Sequence, residues 1–319
     1  MVRVASLYFR DNWTQQEIAD RLGVSRFVVG RWLKRARDIG LVRIEIVPID
    51  VSMLAIAAEL EGVLDIQRCV VVPTAPGADM GEVRRQIGEA GARYLESLVR
   101  PADTIAVPWG RTLAELAARL RPIAKPSVTI CELVGGVGQV TERFAAHEVA
   151  ARIAERLGGR CVYLHAPVLV NSMQTRDVLL HEGSIRRAIE LAERADIVLL
   201  GAGAPTADHV LVLAGFISPP EIESIARAGA VAHIGGWFVD AAGRELPNAF
   251  SERTVALPLS QIRRIPTKIF ATGGPDTIAG IIAAVRGGLL DVLITDSASA
   301  EAVLRHVKET PVSAASSGR

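Results

Sequence analysis

The stretch Ile105-Ala-Val-Pro-Trp-Gly-Arg-Thr112 contains the pattern that predicts the fold of most of this chain. A short apolar run ends in a glycine-bearing loop, and a helical pattern follows at 112–120. Three further apolar runs end in the same way, in loops that contain Gly135 and Gly136, Gly201 and Gly203, and Gly273 and Gly274. Apolar strands that alternate with helices are typical of a parallel sheet whose two faces are both covered.

The same alternation extends from residue 66 almost to the end of the chain. Apolar runs predict strands at 66–72, 104–107, 128–134, 161–165, 196–200, 230–234, 268–271 and 291–295. Helical patterns lie between most of them, at 82–98, 112–120, 147–157, 184–194 and 276–286. We therefore expect an α/β class, with a Rossmann-like, mostly parallel sheet domain over residues 63–319.

The glycine loops form a candidate ligand site, because the carboxyl ends of parallel strands meet at one edge of the sheet. We expect Thr112 to cap the helix after the first loop, and the loop amides with Arg111 to hold phosphate or hydroxyl groups. Each loop taken alone also fits a purely structural turn. None matches GxGxxG or GxxxxGK[ST], which disfavours the common nucleotide sites.

The first 47 residues follow a different pattern. Thr14 and Glu17 have the spacing of a capping box, and Gly23 ends the helix that they begin. Ser25 is a second candidate N-cap, for a helix that runs to about Arg37. Gly40 ends this helix, and 42–47 alternates like the strand of a wing. We predict a winged helix-turn-helix over residues 1–47, followed by a linker at 48–62 that contains a connecting helix at 51–62.

The outward face of the second helix indicates contact with DNA. Arg26 and Arg31 lie near its start, where base contacts are expected, and Gly30 permits close backbone approach. Lys34 and Arg35 suit phosphate contacts. Phe27, at the helix start, fits a thymine methyl contact no better than a role unrelated to DNA. The candidate DNA-binding set is Thr14, Gln15, Ser25, Arg26, Phe27, Gly30, Arg31, Lys34 and Arg35.

Composition excludes several classes of protein, and the charge is unevenly distributed along the chain. The chain has 319 residues, 50% of them hydrophobic and 22% charged, which excludes a mainly disordered protein. Residues 1–47 hold nine Lys or Arg and five Asp or Glu, so the formal charge of this segment is +4. The formal charge of the whole chain is only +1. The three cysteines form no CxxC pair, and the histidines show no metal-binding spacing. We expect a cytoplasmic protein without a cofactor or metal.

Seven motifs resemble, in order, those of the SorC family of bacterial sugar-responsive transcription regulators. They are Thr14–Arg37, Val107–Thr112, Gly135-Gly136, Ala166-Pro167, Ala195–Gly203, Gly229–Gly243 and Thr272–Ala300. The resemblance implies the fold of glucosamine-6-phosphate deaminase and ribose-5-phosphate isomerase in the C-terminal domain. It also implies a homotetramer or dimer of dimers, operator DNA as partner, and a sugar, polyol or sugar phosphate as effector.

The glycine loops and the resemblance together give a candidate effector-binding set. Its members are Trp109, Gly110, Arg111, Thr112, Gly135, Gly136, Val137, Gln139, Pro167, Gly201, Gly203, His233, Asp240, Gly273, Gly274 and Thr277. Relatives often have Asp in place of His233 and Lys in place of Thr277. These two departures favour a neutral polyol or sugar over its phosphate, whereas Arg111 and the loop amides favour an anion.

The resulting hypothesis is a DNA-binding regulator of a carbohydrate or polyol operon, not an enzyme. The alternative is a sugar-phosphate isomerase or deaminase that gained a DNA-binding head. No acid/base pair stands out around the glycine loops, which disfavours that alternative.

Overall fold

The computed structural model describes residues 1–9, 13–42, 51–75, 77–123, 127–136 and 146–309. It divides into two compact units, Met1–Ile49 and Asp50–Arg319. We call the first unit the head and the second the body.

The head contains three helices, α1 (Val2–Phe9), α2 (Gln15–Leu22) and α3 (Arg26–Asp38). The Thr14–Glu17 capping box is present, and Gly23 ends α2 in the left-handed conformation with φ +64°. The small core of the head is formed by Val4, Ile18, Ala19, Val29 and Leu33. Helix α1 was not predicted, and the predicted wing lies almost entirely outside the described residues.

The body is built on a seven-stranded, fully parallel sheet in the order β1-β9-β8-β5-β2-β3-β4. Its strands are β1 (Arg68–Val72), β2 (Thr104–Val107), β3 (Thr129–Glu132), β4 (Arg160–Val162), β5 (Ile197–Leu200), β8 (Thr267–Ala271) and β9 (Val292–Asp296). Successive residues of these strands enter different apolar clusters: Ile105 packs in one, and Ala106 in the other. Both faces of the sheet are therefore covered, which confirms the predicted architecture.

Eleven α-helices of the body are described. They are α4 (Val51–Leu64), α5 (Met80–Leu98), α6 (Arg111–Arg119), α7 (Ala146–Leu157), α8 (Met173–His181), α9 (Gly183–Glu193), α10 (Val210–Leu213), α11 (Pro219–Arg227), α12 (Leu259–Ile262), α13 (Ile278–Arg286) and α14 (Ser297–Glu309). Short 3₁₀ turns occur at Ser251–Arg253 and Pro275–Thr277. Helix α4 packs on β1 and α14 and buries Leu60 and Leu64, so it is an integral part of the body.

The strand that we predicted at 230–234 does not join the parallel sheet. Residues Ala232–Ile234 (β6) pair antiparallel with Trp237–Val239 (β7) in a separate hairpin. The connection is Gly235-Gly236, with φ of +57° and +100°, a conformation that favours glycine. This two-residue turn reverses the chain at once, whereas a parallel strand needs a long crossover.

Candidate functional site

A cavity of about 220 Å³ lies where β2, β5 and β8 end at the carboxyl edge of the sheet. These three strands are neighbours in the middle of the sheet, so the loops that follow them meet. Ten residues of the candidate effector set line the cavity: Trp109, Gly110, Arg111, Thr112, Gly201, Gly203, His233, Gly273, Gly274 and Thr277.

Four other candidates do not line this cavity. Gly136 pairs with Pro167 in a parallel bridge, and a Cβ at Gly135 would lie 2.7 Å from backbone atoms of the same segment. Asp240 accepts hydrogen bonds from the backbone of Ala242 and Arg244, and thereby holds a turn. The last two candidates, Val137 and Gln139, lie outside the described residues.

The start of α6 lies at the cavity wall without a side-chain cap. The helix begins at Arg111, its N-cap is Gly110, and no side chain caps it. The prediction that Thr112 caps the helix is therefore wrong, because Thr112 is already in its first turn. Helix α5 is different, since its N-cap Asp79 accepts hydrogen bonds from the amides of Gly81 and Glu82. Uncapped amides at a helix start attract negative charge.

Two guanidinium groups face the same cavity. Arg111 extends from the start of α6, and Arg84, from α5, lies half-buried on the wall. Burial lowers the pKa of Arg84, and the positive charge of Arg111 lowers it further. Within the described part of the chain, neither side chain has a hydrogen-bond or ion-pair partner within 4 Å. The cavity therefore holds two neighbouring cations without a direct anionic partner.

The opposite wall is aromatic. The ring of His233 stacks on Trp109, with centroids 6.0 Å apart and planes inclined by 14°. His209 meets His233 edge-on at 5.0 Å, and Phe238 packs behind both rings. A Cβ at Gly203 would lie 2.9 Å from Nε2 of His209, so this glycine makes room for the histidine.

Both histidines are buried and neutral at physiological pH. Burial is the main cause that lowers the pKa of His209, to about 4, and that of His233 well below its usual value. Nδ1 of His209 accepts a hydrogen bond from the amide of Leu211, so the proton of this neutral ring is on Nε2. His233 bonds to the backbone of Gly236, and its Nε2 is buried without a partner among the described residues.

These bonds define two tautomers. The bond to Gly236 raises the pKa of His233, which indicates that the ring donates it to a carbonyl. Since Nε2 is the unpartnered nitrogen, the donor is Nδ1, and Nε2 is left as an acceptor. Nε2–H of His209 is a donor. The pair thus has one donor nitrogen and one acceptor nitrogen, of which Nε2 of His233 has less than 1 Å² of accessible surface and does not open onto the cavity.

The loop after β8 is held by buried groups. Asp296 accepts hydrogen bonds from the amide of Gly274 at 2.9 Å and from the hydroxyl of Ser299 at 2.5 Å. The hydroxyl of Thr277 donates to the carbonyl of Gly274 at 2.9 Å. Its proton is thereby used, so Thr277 offers the cavity an acceptor only.

Six polar or charged lining residues were not predicted from the sequence. They are Arg84, Thr206, Asp208, His209, Thr272 and Asp276. Arg84 follows β1, whose loop has no glycine motif, but the helix after any parallel strand starts at the ligand-binding edge. This rule could have identified Arg84 from the sequence. His209 caps a helix of only four residues, for which no periodic pattern exists.

The predicted DNA-binding residues lie on α3 and at the starts of α2 and α3. Arg26, Phe27, Arg31, Lys34 and Arg35 are exposed on α3. Gln15 reaches α3 from the start of α2, where its Oε1 would lie 3.4 Å from a Cβ at Gly30. Thr14 and Ser25 occupy the two N-cap positions, and only Thr14 caps through its side chain. The helix-turn-helix thus has four exposed cations on α3, with Gln15 of α2 close to Gly30.

The comparisons with known proteins agree with this arrangement. Residues 51–305 match a family model described as "Putative sugar-binding domain". The chain is 30% identical over 309 residues to the transcriptional regulator LsrR of Escherichia coli (strain K12), covering 96% of this chain and 94% of that protein. It is 27% identical over 303 residues to the deoxyribonucleoside regulator of Bacillus subtilis (strain 168), covering 95% and 96%.

A solved structure shows the same fold. The full-length sorbitol operon regulator SorC from Klebsiella pneumoniae superposes with a TM-score of 0.76 at 24% identity, covering 95% of this chain and 97% of that one. The chain belongs to the SorC family. SorC-family membership confirms a sugar-responsive transcription regulator, with DNA and a sugar effector as its partners. The enzyme alternative is not favoured, because the similar proteins are named as regulators.

No described helix combines the length and the apolar character needed to cross a membrane. In the same residues, no group of three or more His, Cys, Asp or Glu side chains is arranged to hold a metal ion.

Proposed function

We propose that this regulator binds a phosphorylated sugar or polyol in the body cavity, and that the bound effector changes the affinity of the head for operator DNA. The observation that carries the proposal is the uncapped start of α6 beside Arg84 and Arg111. A phosphate monoester there accepts hydrogen bonds from helix amides and from two guanidinium groups.

The two cations of the cavity favour an anionic ligand more strongly than His233 and Thr277 favour a neutral one. A lysine at position 277 would be one cation, and Arg84 supplies a cation from another element of the same cavity. Asp208 and Asp276 also line the cavity, but both are exposed, and Asp208 accepts a hydrogen bond from Thr206 at 2.5 Å. Arg84 is half-buried, and a buried charge without a partner costs free energy. A ligand anion therefore stabilises Arg84 more than a ligand cation would stabilise the two exposed aspartates.

The histidine pair supports a hydroxylated ligand at the other wall. Nε2–H of His209 donates to one sugar hydroxyl. Nε2 of His233 has less than 1 Å² of accessible surface, and it accepts from that hydroxyl only after the surrounding side chains move. Beside the two histidines, the indole of Trp109 offers an apolar surface for the C–H groups of a sugar. The cavity of about 220 Å³ is smaller than typical drug-sized sites, which also favours a small metabolite.

The DNA part of the proposal assigns α3 to the major groove. Arg26 and Arg31 read base edges, with Gln15 beside them, while Lys34 and Arg35 contact phosphates. A helix-turn-helix head needs a second copy to set the spacing of two half-sites, so we propose a dimer or a dimer of dimers. We also propose that the protein acts in the cytoplasm, where its DNA target is accessible.

Calorimetric titration of the full-length chain tests the effector class. The panel consists of pentitols and hexitols, the corresponding sugars, and the monophosphates of each. We expect binding by at least one monophosphate and much weaker binding by its unphosphorylated partner. Arg84→Gln should weaken that binding by about 1.5–3 kcal/mol, the value of a hydrogen bond to a charged group.

Arg85→Gln is the matched control, because Arg85 is the next residue but is exposed and paired with Glu82. This variant should bind like the wild type. Tight binding of an unphosphorylated polyol, unaffected by Arg84→Gln, would contradict the proposal.

A further inference from the structure

Phe27 is the most exposed large apolar side chain in the described part of the chain, with 86% of its surface in water. It is not a displaced core residue. The core side of α3 is already occupied by Val29, Leu33 and Ala36, and Trp32 packs against the same core. Among the described residues, no ring lies in aromatic contact with Phe27, and the head core does not include it.

The surroundings of Phe27 are polar and positively charged. Arg26 precedes it, and Arg31 lies one turn later on the same side of α3, at the spacing i, i+4. The residue three positions after Phe27 is Gly30, so no side chain projects from that position next to the ring. The amide of Gln15 approaches this gap. Phe27 is therefore a flat apolar group among side chains that suit phosphates and base edges, namely Arg26, Arg31 and Gln15.

DNA offers one apolar group to a helix in the major groove, the C5-methyl of thymine. Phosphates and the other base edges present only charges, donors and acceptors, and the minor groove has no methyl group. We infer that Phe27 contacts a thymine methyl in each operator half-site and so determines part of the sequence specificity. This inference rests on the proposed insertion of α3 into the major groove.

The expected size of the effect follows from the apolar surface that one methyl group buries. Burial of one CH₂-sized group contributes about 0.8 kcal/mol, which corresponds to about a fourfold change in affinity. Two symmetric half-sites should therefore give about a fifteenfold change when both methyl groups are removed.

The test begins with in vitro selection of duplexes from a random library by the full-length wild-type chain. Each thymine of the selected half-site is then replaced in turn by deoxyuridine, which pairs identically but lacks the methyl group. Binding is followed by fluorescence anisotropy at fixed salt. We expect one position per half-site at which deoxyuridine weakens wild-type binding about fourfold, and we expect Phe27→Ala to bind both versions of that site equally.

Ile39→Ala is the matched control, since Ile39 is also apolar and exposed, at 61%, but lies at the far end of α3. This variant should retain the wild-type response to deoxyuridine. The inference is overturned if no thymine is sensitive to loss of its methyl group, or if Phe27→Ala keeps the wild-type sensitivity. It is also overturned if Phe27→Ala instead dissociates the oligomer, because the ring then packs on a second copy. Selection of no duplex at all would overturn the proposed function itself.

Discussion

The imidazole of His233 lies almost parallel to the indole of Trp109, at 14° and 6.0 Å between ring centroids. Trp109 follows β2, whereas His233 belongs to the β6–β7 hairpin. The backbone of His233 also exchanges two hydrogen bonds with Gly203, the residue that ends the loop after β5. One histidine therefore joins three segments at the effector cavity, which places its unpartnered Nε2 at their junction.

The first prediction concerns that nitrogen. His233→Phe keeps an aromatic ring beside Trp109 and removes a buried polar atom without a partner. We expect the free energy of unfolding to change by less than about 1 kcal/mol, because loss of the bond to Gly236 offsets removal of the unpartnered nitrogen, while effector binding weakens by about tenfold or more. Urea unfolding and calorimetric titration measure the two effects. Wild-type effector affinity in this variant would show that Nε2 does not contact the ligand.

The second prediction concerns the pH dependence of stability through His209. Its pKa is lowered to about 4 in the folded chain, mainly by burial, so the unfolded chain binds this proton more readily. Stability should therefore fall as the pH drops from about 6.5 to about 4, by up to about 3 kcal/mol for this group.

His209→Asn tests this sign. The Asn oxygen can still cap α10, because Asn is a good N-cap, but it does not titrate. Unfolding measured between pH 4 and 7 should show a shallower loss of stability in the variant. A slope equal to that of the wild type would exclude His209 as a source of the acid sensitivity.

The third prediction concerns a buried acid outside the effector cavity. Glu132 is fully buried at the end of β3, accepts a hydrogen bond from the amide of Leu164, and approaches Nδ1 of His147 to 2.5 Å. Burial raises the pKa of Glu132 to about 8, so its contribution to stability decreases as the pH rises from about 4.5 to about 8.

Glu132→Gln preserves an acceptor for the Leu164 amide and removes the titration. The variant should gain stability relative to the wild type at pH 8, by on the order of 3 kcal/mol, and the gain should vanish near pH 4.5. Denaturant midpoints at the two pH values measure the difference. A variant that is destabilised most at pH 8 would indicate a true ion pair with His147 instead.

The sequence predicted the sheet and much of the cavity for clear physical reasons. Apolar runs such as 104–107 identify buried strands, and a parallel sheet must bring the loops after them to one edge. Trp109, Arg111 and the glycines after β5 and β8 were found in this way. Gly135 and Gly136, in the described part of the loop after β3, did not join them, because Gly136 bonds to the backbone of Ala166 and Val168 instead.

The remaining residues depend on tertiary contacts that periodicity does not report. His209 reaches the cavity only because Gly203 leaves space for its ring. The hairpin at Gly235-Gly236 converts an apparently parallel strand into an antiparallel one through two residues with positive φ. The sequence does not distinguish Arg84 from the other cations of α5. Only the fold brings Arg84 close to Arg111.

The fourth prediction separates base contacts from phosphate contacts on α3. Arg31→Ala should cost about 1–3 kcal/mol in specific binding and relax the preference at one operator base. Lys34→Ala should weaken binding to all sequences alike and reduce the salt slope by about one unit. Anisotropy titrations over several salt concentrations distinguish the two patterns. If neither variant differed from the wild type, α3 would not be the recognition helix.

The central claim is that an effector held by Arg84 and Arg111 controls DNA binding by the head. Its most direct test is the operator affinity of the full-length wild type and of the Arg84→Gln/Arg111→Gln variant, each with and without the sugar or polyol monophosphates that bind in calorimetry. We predict that a monophosphate shifts the wild-type Kd by about 5–150-fold, the usual range of allosteric coupling, while the double variant keeps its effector-free affinity at every concentration tested. An equal shift in both proteins, or no shift in the wild type with any of these ligands, would contradict the account.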